Sequence, residues 1–119
     1  MLNISNNGTI TITKGDTFDL ELLINCGTIL EPKRYKLNQS DKIYFALEEP
    51  NQEYEQAIIK KELSINNLNS LDNIVIHFTD AETANLISGT YYYEVKLHLH
   101  TDKGIEINTI VPKTKFIVL

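Results

Sequence analysis

Residues 89–100, "GTYYYEVKLHLH", place three consecutive tyrosines behind a glycine and then alternate apolar with polar side chains. A period of two is the mark of an extended strand, because successive side chains leave the backbone on opposite faces. Tyr91, Tyr93, Val95, Leu97 and Leu99 therefore share one face, and Tyr92, Glu94, Lys96, His98 and His100 share the other. One face suits a core and the other suits water, which is the pattern of an antiparallel sheet with a single buried side.

The same alternation recurs on both sides of this stretch. "DTFDLELLIN" (16–25) puts Phe18, Leu20, Leu22 and Ile24 on one face; "KIYFALEE" (42–49) does so with Ile43, Phe45 and Leu47, and "DNIVIHFT" (72–79) with Ile74, Ile76 and Phe78. Shorter strands are expected at 9–13, 57–63 and 105–111, with "TKFIVL" closing the chain after Pro112. Proline cannot donate to a ladder, so Pro112 marks an edge or a bulge that splits the last strand. "TKGD" (13–16) and "TDKG" (101–104) read as hairpin turns with glycine where a positive φ is useful. Residues 26–41, which carry Pro32, read as an irregular crossover with a short strand or a helical turn. In "DAETANLI" (80–87) Asp80 is the expected helix cap, and Gly89 ends the segment after one or two turns.

These elements predict one all-β domain over residues 1–119: an immunoglobulin-like antiparallel β-sandwich of about seven strands, with one short helical turn near residues 80–87. The chain has no tryptophan and spends half of its six tyrosines in one place, and the sandwich supplies a reason. Where the chain crosses from one sheet to the other, a tyrosine can pack its ring inward and bind the backbone of the corner through its hydroxyl. Tyr91 is the expected corner residue, with Leu86 plugging the base of the core, Gly89 at the bend and Tyr93 continuing the buried face. Tyr92 points outward and is a candidate for partner contact.

A chain of 119 residues is the length of one core. Its 42% apolar and 23% charged residues are ordinary for a globular domain, and no apolar run is long enough to span a bilayer. The N-terminus carries no basic segment followed by an apolar one, so no secretory signal is expected and the expected compartment is the cytoplasm, at least initially, with no membrane association. A net charge of −5 with scattered lysines argues against nucleic acid as a partner. Arg34 is the single arginine, and the wealth of Lys, Ile and Asn resembles coding from an AT-rich bacterial or phage genome. Cys26 is the only cysteine, which forbids an internal disulfide and suits a small core or turn residue.

No catalytic constellation emerges. His98 and His100 share a face about 7 Å apart at the strand rise, and His77 could complete a zinc set, yet no cysteine or carboxylate accompanies them. The acidic turn "EEPNQEYE" (48–55) lacks the spacing of a calcium loop and reads as a solvated connection. Glu48 with Glu49, or Asp16 with Asp19, would serve as acid and base only in a shared pocket, which nothing in the sequence suggests. The expectation is a non-enzymatic protein without metal or cofactor.

The succession of motifs resembles the small immunoglobulin-like domains of phage and prophage tail or baseplate proteins, including the N-terminal domain of the baseplate upper protein family. It consists of Gly15-Asp16-Thr17 entering a strand, Asp41-x-Ile43-x-Phe45, a corner of Thr83, Leu86, Gly89, Tyr91 and Tyr93, and a closing Thr109-Ile110-Val111-Pro112 with Phe116 and Val118. The resemblance covers nearly the whole chain. It implies a structural or assembly module of a virion or tail-like particle, whose partners are other tail or baseplate proteins or further copies of itself. Contact through strand edges is expected at "TITIT" and "KFIVL", with Tyr92, Lys115 and Ile117 as contact residues. The alternative is a carbohydrate- or cell-surface-binding module that uses Tyr44, Tyr54 and Tyr92.

Overall fold

In the computed structural model residues 2–4, 6–27 and 30–119 are described. Among these residues the strands are β1 (Asn3–Ile4), β2 (Ile10–Ile12), β3 (Phe18–Leu22), β4 (Asn25–Gly27), β5 (Pro32–Arg34), β6 (Lys42–Glu48), β7 (Ile59–Leu63), β8 (Ile74–Phe78), β9 (Gly89–Thr101) and β10 (Gly104–Val118), with one α-helix, α1 (Asp80–Ala84), and two single 3-10 turns. Six strands form a curled sheet in the order β1-β2-β10-β9-β6-β7; β3 and β8 form a separate ribbon, and β4 and β5 a small hairpin. The chain is all-β as expected. Its sheet is mixed, because β2 runs parallel to the end of β10 while the other pairs are antiparallel.

The period-two stretches become the strands whose apolar faces meet. Ile43, Phe45 and Leu47 of β6 and Tyr91, Tyr93, Val95 and Leu97 of β9 are buried on the inner face of the large sheet, against Phe18, Leu20, Ile74, Ile76 and Phe78 of the ribbon. Five rings close a circuit through this core: Phe18 stacks on Phe78 at 4.7 Å, Phe78 meets Phe45 edge-on at 5.3 Å, Phe45 stacks on Tyr93 at 5.9 Å, Tyr93 meets Phe116 edge-on at 6.3 Å, and Phe116 returns to Phe18 at 6.5 Å. Each such contact adds about 0.5–1.5 kcal/mol to the area buried. The aromatic residues thus fasten the ribbon to the sheet.

Several local expectations give way to longer-range pairing. "TDKG" closes a hairpin, with Thr101 opposite Gly104. "TKGD" makes a turn, Asp16 N–H to Thr13 C=O at 3.1 Å with Gly15 at φ +85°, but it carries the chain from β2 into the ribbon, and β2 and β3 do not pair. Turn chemistry sets the local bend and leaves open which strands become neighbours. β10 is one strand instead of two; it absorbs Pro112 in the second of two register shifts, between Val111 and Thr114. In α1 the cap is Thr79, whose hydroxyl accepts from Glu82 N–H at 3.2 Å while the Glu82 carboxylate accepts from Thr79 N–H at 3.0 Å. Asp80 is the first helical residue and not the cap, so the helix begins one place earlier than expected. Residues 26–41 hold the β4–β5 hairpin and a turn in which buried Asp41 Oδ2 accepts from Tyr35 O–H at 2.5 Å and Asn38 N–H at 2.9 Å. The expected role of the Cys26 side chain lies outside the described residues.

The two expected edges are interior. Residues 116–118 of β10 lie between β2 and β9, and β2 lies between β1 and β10. Ile117 pairs with Thr11 on one side and Thr90 on the other, so a proline there would strike the sheet itself.

Candidate functional site

The corner at the head of β9 is built from α1 outward. Thr83 is buried, and its hydroxyl donates to Asp16 C=O at 2.8 Å, tying the helix to the turn that leaves β2. The chain then runs through buried Leu86 to Gly89, where φ is +153°. Tyr91 packs its ring into the core, donates its hydroxyl to Ile87 C=O at 2.6 Å and accepts from Ile87 N–H at 3.0 Å. Tyr93 donates to Gly8 C=O at 2.6 Å, joining β9 to the segment before β2. Both hydroxyls bind backbone, so both rings brace the scaffold. Tyr91→Phe should lower the unfolding free energy by about 1–2 kcal/mol, since it leaves two backbone groups short of a partner. Chemical denaturation would read it, and an unchanged midpoint would contradict the bracing role.

The outer face of the large sheet departs from the simple solvated face the sequence suggests. Residues 49–57 fold back over it, with a single 3-10 turn at Tyr54–Gln56. Lys113 donates to Gln52 C=O at 2.8 Å, and the Tyr54 ring lies between Lys60 Nζ at 5.1 Å and Lys96 Nζ at 5.7 Å. Under this strap Ala46 and Glu48 have no exposed surface and Glu94 has little. Neither carboxylate oxygen of Glu48 has a hydrogen-bond partner among the described residues. The nearest cation is Lys113, 3.9 Å from Glu48 Oε1, while Lys96 stands 3.5 Å from Glu94. Burial first, then the adjacent Glu94 carboxyl, pushes the Glu48 pKa up to about 7. The carboxyl beside Glu48 is thus that of Glu94 on the neighbouring strand and not that of Glu49. The sequence holds only a faint signal for this, a glutamate continuing the strand pattern of "KIYFALEE".

The three histidines are not brought together. His98 and His100 lie on β9 and the outer face of the large sheet, whereas His77 lies on β8 and contacts Asp19 of the neighbouring strand at 2.5 Å. His98 packs against Tyr44 with ring centroids 4.5 Å apart, and Tyr44 donates to Glu62 at 2.8 Å. Tyr92 is half-buried between Glu48 and Lys115 in register, and lines a hollow with Glu49, Pro50, Asn51, Glu53 and Lys113. Lys115 is exposed and Ile117 half-buried.

The exposed strand edges differ in their protection. β1 is two residues long, and β7 reads "IKKEL", with Lys61 held by Glu82 at 2.7 Å. Short length and charge are the usual defences of an edge. Between Gly104 and Val111 β10 is long and nearly uncharged. Only residues 116–118 pair with β2, so among the described residues no strand covers the side of this segment away from β9. The segment has a single charge, Glu106, and Ile105 and Ile107 are 59% and 58% exposed.

Comparison with known proteins adds no relative: no protein family, curated protein or solved structure matches the chain. Among the described residues no helix is long and apolar enough to cross a membrane.

Proposed function

We propose that this chain is a non-enzymatic assembly module of a phage, prophage or phage-tail-like particle, built as an immunoglobulin-like sandwich and acting through protein–protein contacts. The observation that carries this reading is the open side of β10, an apolar strand edge left bare in a sheet whose other edges are short or charged. The motif succession and the Tyr91–Ile87 corner support the sandwich and, with it, the tail-protein resemblance. The reactive groups offer no rival of equal weight, since the Glu48 and Glu94 carboxyls are buried beneath the strap and closed off from a substrate.

The test is fractionation. A tagged full-length chain, expressed in the bacterium that encodes it, should sediment with tail-like particles after prophage induction and be recovered with their structural proteins. A chain that stays in the small soluble fraction under those conditions overturns the reading. If it also binds a glycan array through Tyr44, Tyr54 or Tyr92, the surface-binding alternative takes its place.

A further inference from the structure

The open side of β10 is self-complementary. We infer that Gly104–Val111 pairs antiparallel with the same segment of a second copy, joining two six-stranded sheets into one across a two-fold axis beside Ile107. This names the partner for the edge on which the proposed function rests.

Beyond Leu99 the β9–β10 hairpin leaves the core; residues 100–107 are exposed on both faces, and the molecule measures 42 Å along its longest axis against 28 and 27 Å. A two-stranded ribbon exposed on both sides is marginal in water and gains from a third strand. Every second residue of its bare edge directs N–H and C=O to the open side. The register with β9 sorts the side chains. Ile105, Ile107 and Thr109 share the outer face with His100, His98 and Lys96, while Glu106 and Asn108 share the other with Leu99 and Leu97.

A two-fold axis perpendicular to the sheet keeps outer residues beside outer residues, so few registers are allowed. Centred on Glu106, the pairing would set two like charges directly opposite, which is destabilising. Centred on Asn108, it would set Glu106 against Ile110, at the first register shift of β10. Centred on Ile107, it sets Ile107 against Ile107, Ile105 against Thr109, and Glu106 against Asn108, which can accept and donate to it. The last arrangement gathers four isoleucines on one face and opposes no like charges. The net charge of −5 works against association in general, but this segment carries just one of the charges.

The experiment uses the full chain in a Cys26→Ser background. By light scattering after size exclusion the protein should be a dimer at micromolar concentration, and Ile107→Lys should be a monomer with an unchanged far-ultraviolet spectrum. Under mild oxidation Ile107→Cys should give a covalent dimer, because the two residues face each other across the axis. Thr109→Cys should not, since its two copies lie about 14 Å apart along the strands. The Cys26→Ser protein remaining monomeric to high micromolar concentration, or cross-linking equally at both positions, overturns the pairing. A monomer that still sediments with tail-like particles would sink this inference alone and leave the assembly reading standing.

Discussion

Replacing Glu48 by glutamine should stabilise the protein above neutral pH by about 3 kcal/mol and flatten its stability between pH 4.5 and 7. Glu48 is fully buried, and its pKa is raised from 4.5 to about 7, a shift that corresponds to about 3 kcal/mol at 1.36 kcal/mol per unit. The folded state therefore holds a proton that the unfolded chain has released. Its contribution is complete below the unfolded value and is lost as pH rises through the folded one, so the wild-type protein should weaken across this window. Lys113→Met should act in the opposite sense, removing the cation that lowers the Glu48 pKa and so deepening the loss above pH 7. Denaturation midpoints from pH 4 to 9 would decide it: parallel curves for wild type and Glu48→Gln would show that the buried carboxyl is not the titrating group.

Phe45→Ala should cost about 3–5 kcal/mol, the range for deleting a fully buried aromatic ring. Phe45 has no exposed surface, and its ring touches both Phe78 of the ribbon and Tyr93 of the large sheet. Its removal breaks the aromatic circuit at the joint between the two layers. The loss is a substantial share of the stability of a domain this size, and near-ultraviolet signal from the tyrosines should weaken with it. A loss below about 1 kcal/mol would mean that the layers are fastened elsewhere.

The strands that dominate the core were legible because each carries its apolar residues on one face, and a period of two needs no distant information to be recognised. The bend ahead of β9 is legible for the same reason, since Tyr91 bonds Ile87 only four residues before it and the whole turn is a local piece of chain. What could not be read depends on pairing between distant residues. "TKGD" has the chemistry of a hairpin turn, but β3 finds its partner in β8, more than 50 residues on. "KFIVL" reads as an edge, yet it is flanked on both sides because Ile10 comes to lie beside Phe116. Glu48 reads as a solvated glutamate until residues 49–57 fold back over it, and nothing in the period of β6 announces that strap. The bare side of β10 was hidden for the converse reason, since a free edge is known only when every neighbour has been assigned.

The parallel pairing of β2 with the end of β10 sets an order of events during synthesis. Ile10 and Ile12, both buried in the finished sheet, pack beside residues 116–118. On the ribosome they must stay uncovered until more than 100 further residues have been made, and closing so long a loop is the slow step that high contact order implies. The sheet can seal only after its last strand emerges. A pause in translation late in the chain would therefore lengthen the time for which an apolar segment lies open to chaperones or to misassociation.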